Sequence, residues 1–193
     1  MDFLLKRKLK KLQKRARILY DKRERGETID AKYEIKAQLD LAHFYDKYRY
    51  YKIFPRAESC ALEYYRTAAE LGSAEAQYTF GQRRLEDAKF WDEWFAGING
   101  QPLHQELAKS YYTEAFNNLS KAESNGYPLA KRLYGLAYIH GWGVPKDKDR
   151  GFKMVVESIE EEGSWNRATQ IFTELGLNTP DFFSSIMAIK QKK

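Results

Sequence analysis

The stretch HGWGVPKDKDRG, residues 140–151, sets Gly141 and Gly143 beside Lys146 and Lys148. Glycines next to lysine cradle a phosphate when the loop follows a buried strand and opens a helix. The same residues make a tight turn between two helices. The Gly-Lys-Ser/Thr ending of a nucleotide loop is absent here. The preceding segment LYGLAYI repeats an Ala, Gly and Tyr spacing found elsewhere in helical register, so the turn is the expected reading. Gly141 and Gly143 then supply left-handed backbone. Trp142 and Val144 are expected to tuck into the core, and Pro145 to stop the first helix.

The remaining chemistry-bearing residues are scattered. His43, His104 and His140 contain no i, i+4 pair, so the helical zinc pattern is missing. Each reads as a helix-end or loop residue. Cys60 is the single cysteine, which excludes an intrachain disulfide and a thiolate zinc site. Beside Ala61 it is expected in a helix core. No G-x-S-x-G nucleophile motif occurs. Asp92 and Glu93 form an isolated acidic pair between tryptophans, and Glu160, Glu161 and Glu162 read as a solvated helix end. The sequence predicts no catalytic residue, metal site, cofactor or small-molecule substrate.

The elements that carry these residues are legible from repetition. Within 193 residues, "IKAQLDLA" (35–42) resembles "AEAQYTFG" (74–81) at an offset of 39. "GSAEAQYTFG" (72–81) resembles "GYPLAKRLYG" (126–135), and "ALEYYRTAAELG" (61–72) resembles "AKSYYTEAFNNL" (108–119). Each unit reads as two helices, the second with the pattern A-x-x-Y-Y-x-x-A. Small residues let helices approach and rings fill the gaps. The unequal offsets place about eight extra residues in the middle connection and two helical turns in the helix after it.

The order Tyr134-Gly135, Tyr138, Gly141-x-Gly143-Val144, Asp147 resembles the Sel-one-like repeat family, a group of α-solenoids related to tetratricopeptide repeats. The resemblance implies an all-α fold of about three helical hairpins over residues 27–177. The repeats would span 31–73, 74–126 and 128–163, with a partial one at 164–177. It also implies that Gly141, Gly143, Val144 and Asp147 form a structural turn, and that the protein is a non-enzymatic scaffold or adaptor binding another protein. Many bacterial members serve secretion, virulence or host interaction, so a toxin-system or secretion setting is implied as well.

Two segments depart from the family turn. Repeat one carries Tyr48, Tyr50 and Tyr51 where the third has glycines, and repeat two carries a loop at 90–104 with Trp91, Trp94 and Phe95. They read either as core plugs or as a partner-binding edge, since Tyr and Trp dominate binding hot spots.

The ends are expected to be caps. Residues 1–25 hold eleven basic and three acidic side chains, a net +8 on a chain of +6, so the remainder is slightly acidic. Residues 1–26 predict an amphipathic helix with an apolar stripe at 5, 9, 12, 16 and 19, ended by Gly26. Thr28 or Asp30 would cap the next helix. The basic face, with Lys6, Arg7, Lys10, Lys11, Lys14 and Arg15, is either a solvated cap or a dock for anionic lipid, nucleic acid or an acidic partner. Residues 178–193 predict a closing helix with Phe182, Ile186 and Ile189 on one face. With no signal-like or membrane-spanning apolar run in the sequence, a cytoplasmic location is expected, or delivery by a route other than Sec.

Overall fold

A computed structural model describes residues 2–97, 101–180 and 182–184. Every regular element among them is helical: α1 (Asp2–Glu24), α2 (Ala31–Lys47), α3 (Ala57–Glu70), α4 (Ala74–Ala96), α5 (Pro102–Ser124), α6 (Ala130–His140), α7 (Lys148–Glu161), a 3-10 turn (Trp165–Arg167) and α8 (Ala168–Glu174). None is long and apolar enough to cross a membrane. The chain divides into two compact units, residues 1–80 and 81–193.

In the first unit α2 packs on both α1 and α3. The stripe Leu5, Leu9, Leu12 and Leu19 lies half-buried against the core, and Ala16 is buried. Asp30 caps α2, its carboxylate accepting a hydrogen bond from the Lys32 amide. Ala42, Ala61, Ala68 and Ala76 are sealed from solvent, with Phe44, Tyr45, Tyr65 and Phe80 filling the space around them. The alanines permit close helix approach and the rings supply the buried area.

In the second unit α6 packs on α5 and on α7. Ala108 and Ala115 are buried on α5 while Tyr111 and Tyr112 are half-exposed. Gly135 of α6 and Gly151 of α7 meet where the two helices cross. A Cβ on Gly135 would stand 2.9 Å from the Gly151 carbonyl oxygen. A second cluster of Phe152, Val155, Ile159, Ile171, Phe172 and Phe182 closes the end of this unit. The expected contacts of Ile186 and Ile189 lie outside the described residues.

Three expectations are corrected. Residues 90–96 are not loop but the last two turns of α4, and α5 begins at Pro102. The insertion therefore lengthens two helices and leaves a short connection. Pro145 is not the helix stop: α6 ends at His140, where Gly141 turns left-handed at φ +80°. The glutamates at the end of α7 are not merely solvated. Lys131 pairs with Glu161, and Arg132 pairs with Glu162 at 2.6 Å.

Candidate functional site

The opening turn is built by backbone rather than by ligands. The chain turns at Gly141 and again at Gly143, where φ is +70°. Gly143 is also pressed against α5: a Cβ there would lie 2.7 Å from the Tyr112 carbonyl carbon and 2.9 Å from the Thr113 nitrogen. Both the conformation and the space require glycine. Asp147 caps α7, its side chain accepting from the Arg150 amide, and its own amide donates to the Tyr138 carbonyl. Val144 is half-buried. A helix precedes the turn, not a strand, so the context of a phosphate loop is lacking.

Trp142 tucks against the core of the second unit only in part. It is half-buried and stacked, with the Tyr112 ring parallel at 6.0 Å and His140 at 4.3 Å. The Lys89 ammonium, from α4, sits 4.3 Å from the Trp142 ring centroid. Burial, followed by the charges of Lys89, Lys146 and Lys148, lowers the His140 pKa below the ordinary imidazole range. The folded state thus binds fewer protons than the unfolded chain between that lowered value and the ordinary one. Stability contributed by His140 is complete above the ordinary imidazole pKa and is lost as pH falls through the folded one. An NMR titration should find the His140 midpoint below the ordinary imidazole range. Lys89→Gln should move the His140 midpoint up.

The aromatic segment of α4 divides by helical spacing. Phe90 and Trp94, four residues apart, lie on the outer face, 53% and 48% exposed, with ring centroids 5.8 Å apart. Trp91 and Phe95, also four apart, are half-buried. Trp91 stacks on His104 of α5 at 5.1 Å, and Trp94 meets the same imidazole edge-on at 6.4 Å. His104 is fixed in turn by its Nδ1, which accepts a hydrogen bond from the Gln101 amide. The inner layer thus holds an outer aromatic pair in place. Asp92 and Glu93 are exposed beside it. Tyr112 donates a hydrogen bond to Asp92 at 3.3 Å. Burial, then the Asp92 charge, pushes Tyr112 up to about 12, so it remains a donor at neutral pH.

In the first unit the connection after α2 divides likewise. Tyr48 packs on Phe44 at 4.8 Å and on Tyr51 at 5.2 Å, and Phe54 is buried among them. These rings plug the hairpin. Tyr50 is 84% exposed, with the Arg49 guanidinium over its ring at 4.8 Å. Cys60 lies on α3, half-buried against the core of the first unit.

The basic face of α1 is exposed at Lys6, Arg7, Lys10, Lys11, Lys14 and Arg15. Arg15 pairs with Asp40 of α2 at 3.4 Å. Phe90 and Lys89 are the residues that sequence reasoning passed over, and His104, read as a helix-end or loop residue, lies in the first turn of α5. The i, i+4 pairing of Phe90 with Trp94 was a usable signal, while the stacking of His104 and Lys89 on rings from other helices had none. Among the described residues no group of three or more His, Cys, Asp or Glu side chains is placed to hold a metal ion.

No protein-family model matches this chain, and no curated protein matches it. Among solved structures it is similar to the Sel1 repeat protein from Oxalobacter formigenes. The two are 21% identical, the match covers 85% of this chain and 96% of the other, and the TM-score is 0.49. At that distance no residue role passes from one protein to the other.

Proposed function

We propose that this chain is a non-enzymatic protein-binding module whose partner is gripped by the outer end of the α4–α5 hairpin. The observation that carries the reading is the Phe90–Trp94 pair, exposed on a rigid helix and backed by the Trp91–His104 stack. A solvent-facing aromatic pair is costly to keep in water, and preordered rings lose little entropy when a partner covers them. The flanking Asp92 and Glu93 select a partner that presents an apolar side chain rimmed by Lys or Arg. Trp91 acts from beneath by fixing the outer rings, and Phe95, one turn along the same side of α4, is half-buried. Tyr50 and Tyr51 provide a smaller aromatic spot on the first unit, whereas Tyr48 serves internal packing. The resemblance in the sequence adds a setting, the assembly of secretion- or virulence-associated complexes, in which such a partner would be sought.

The test is affinity capture by the intact chain against Trp94→Ala and Phe90→Ser. One stoichiometric partner is expected with wild type. Its affinity should fall at least about thirtyfold for Trp94→Ala, the scale of a hot-spot residue. Circular dichroism and melting temperature should not move, because both rings are solvent-facing. Equal recovery by wild type and both variants overturns the reading.

A further inference from the structure

We infer that α1 docks the first unit onto an anionic phospholipid surface. Two stripes run along this helix. One, at 5, 9, 12, 16 and 19, faces the core. The other, at 4, 7, 11, 14 and 18, faces solvent. It is apolar at its ends, Leu4 at 66% exposure and Ile18 at 45%, and cationic between them at Arg7, Lys11 and Lys14. It extends about 21 Å at the helical rise. Phe3, exposed at 75%, adjoins its first end.

The charge on this helix is poorly placed for the helix itself. Lys6, Arg7, Lys8, Lys10, Lys11 and Lys14 are all exposed, and the ion pairs from α1 among the described residues involve only Arg15, Arg17 and Arg23. Four cation pairs stand at i, i+4: Lys6–Lys10, Arg7–Lys11, Lys10–Lys14 and Lys11–Arg15. Each such pair repels. A negative counter-surface relieves this repulsion. Beside the stripe, a groove of about 330 Å³ is lined by Lys11, Lys14, Arg15, Ile18, Leu19 and Tyr33. Asp40 engages Arg15 there, so the uncompensated charge is that of Lys11 and Lys14. An apolar floor with cations at its rim suits a lipid phosphate and its glycerol.

The apolar ends decide between anions. Nucleic acid would engage the cations but gain nothing from Leu4 and Ile18. A bilayer interface takes basic residues and apolar side chains together. The inference rests on the first unit and is independent of the aromatic pair in the second.

The test uses the full chain and sedimentation with vesicles. Phosphatidylcholine vesicles containing phosphatidylserine should bind it at low salt, and phosphatidylcholine alone should not. Replacing Arg7, Lys10, Lys11 and Lys14 by Gln should weaken binding on the order of a hundredfold. Phe3→Ser with Leu4→Ser should weaken it about tenfold while leaving every charge in place. All these side chains are exposed, so the melting temperature reports whether the variants remain folded. Absence of binding to the anionic vesicles overturns the proposal. So does binding indifferent to Phe3→Ser with Leu4→Ser and matched on duplex DNA or polyglutamate, which would mark a general polyanion site.

Discussion

Phe182→Ala should lower the stability of the second unit by about 3–5 kcal/mol, the cost of deleting a fully buried aromatic ring. Phe182 has no solvent exposure. Its ring stands 4.9 Å from that of Phe152 on α7 and 4.6 Å from that of Phe172 on α8, both near edge-on. The three rings tie together helices that the chain joins only through the 3-10 turn and a few loop residues. Removing the middle one leaves a cavity in a cluster whose other members include Val155 and Ile159, both without solvent exposure. Urea unfolding should show a lower midpoint for Phe182→Ala. Phe183→Ala, one residue along and 47% exposed, is the control and should stay within about 0.5 kcal/mol. A wild-type midpoint for Phe182→Ala would mean that the end of the second unit does not contribute to its core.

Gly151→Val should be nearly as damaging, at about 3 kcal/mol, the upper end of overpacking costs. The contact is with backbone as well as with the Ile139 side chain. A Cβ at 151 would stand 2.5 Å from the Gly135 carbonyl oxygen and 2.9 Å from the Ile139 nitrogen. Neither atom is the tip of a flexible side chain, so the helices must separate to admit it. A mid-helix glycine costs about 1 kcal/mol in helix propensity relative to alanine. On an ordinary helix surface Gly→Ala would therefore stabilise. Here Gly151→Ala should destabilise, and that reversal of sign, read by thermal melting, is the sharper form of the test. Gly151→Ala melting above wild type would show that α6 and α7 are not in such close contact.

These two sites illustrate what was visible in the chain and what was not. The small residues at helix crossings could be read because their spacing repeats: Ala61 and Ala68 recur as Ala108 and Ala115, and all four are buried. The α1 stripe follows from period alone, and a cap at Asp30 is one of the two that residue type offered. The α4 extension was obscured because residues 90–96 contain no small residue at the crossing positions until Ala96. Dense aromatics before a glycine-rich segment look like an irregular loop. Their helical register lay instead in two i, i+4 ring pairs, Phe90 with Trp94 and Trp91 with Phe95. Contacts between distant segments left no local mark. The stack of Tyr112, Trp142 and His140 joins rings thirty positions apart, and the partners of Glu161 and Glu162 lie on α6. Such pairings depend on how helices are placed, which periodicity does not encode.

The two ion pairs between α6 and α7 carry a kinetic implication. Lys131 and Arg132 lie at the start of α6, and Glu161 and Glu162 at the finish of α7, so both bonds clasp the open mouth of a hairpin whose other end is covalently joined. Fraying usually begins at such free termini. With the mouth clasped, amide protons along both helices should exchange through one shared opening event instead of a graded series from the ends.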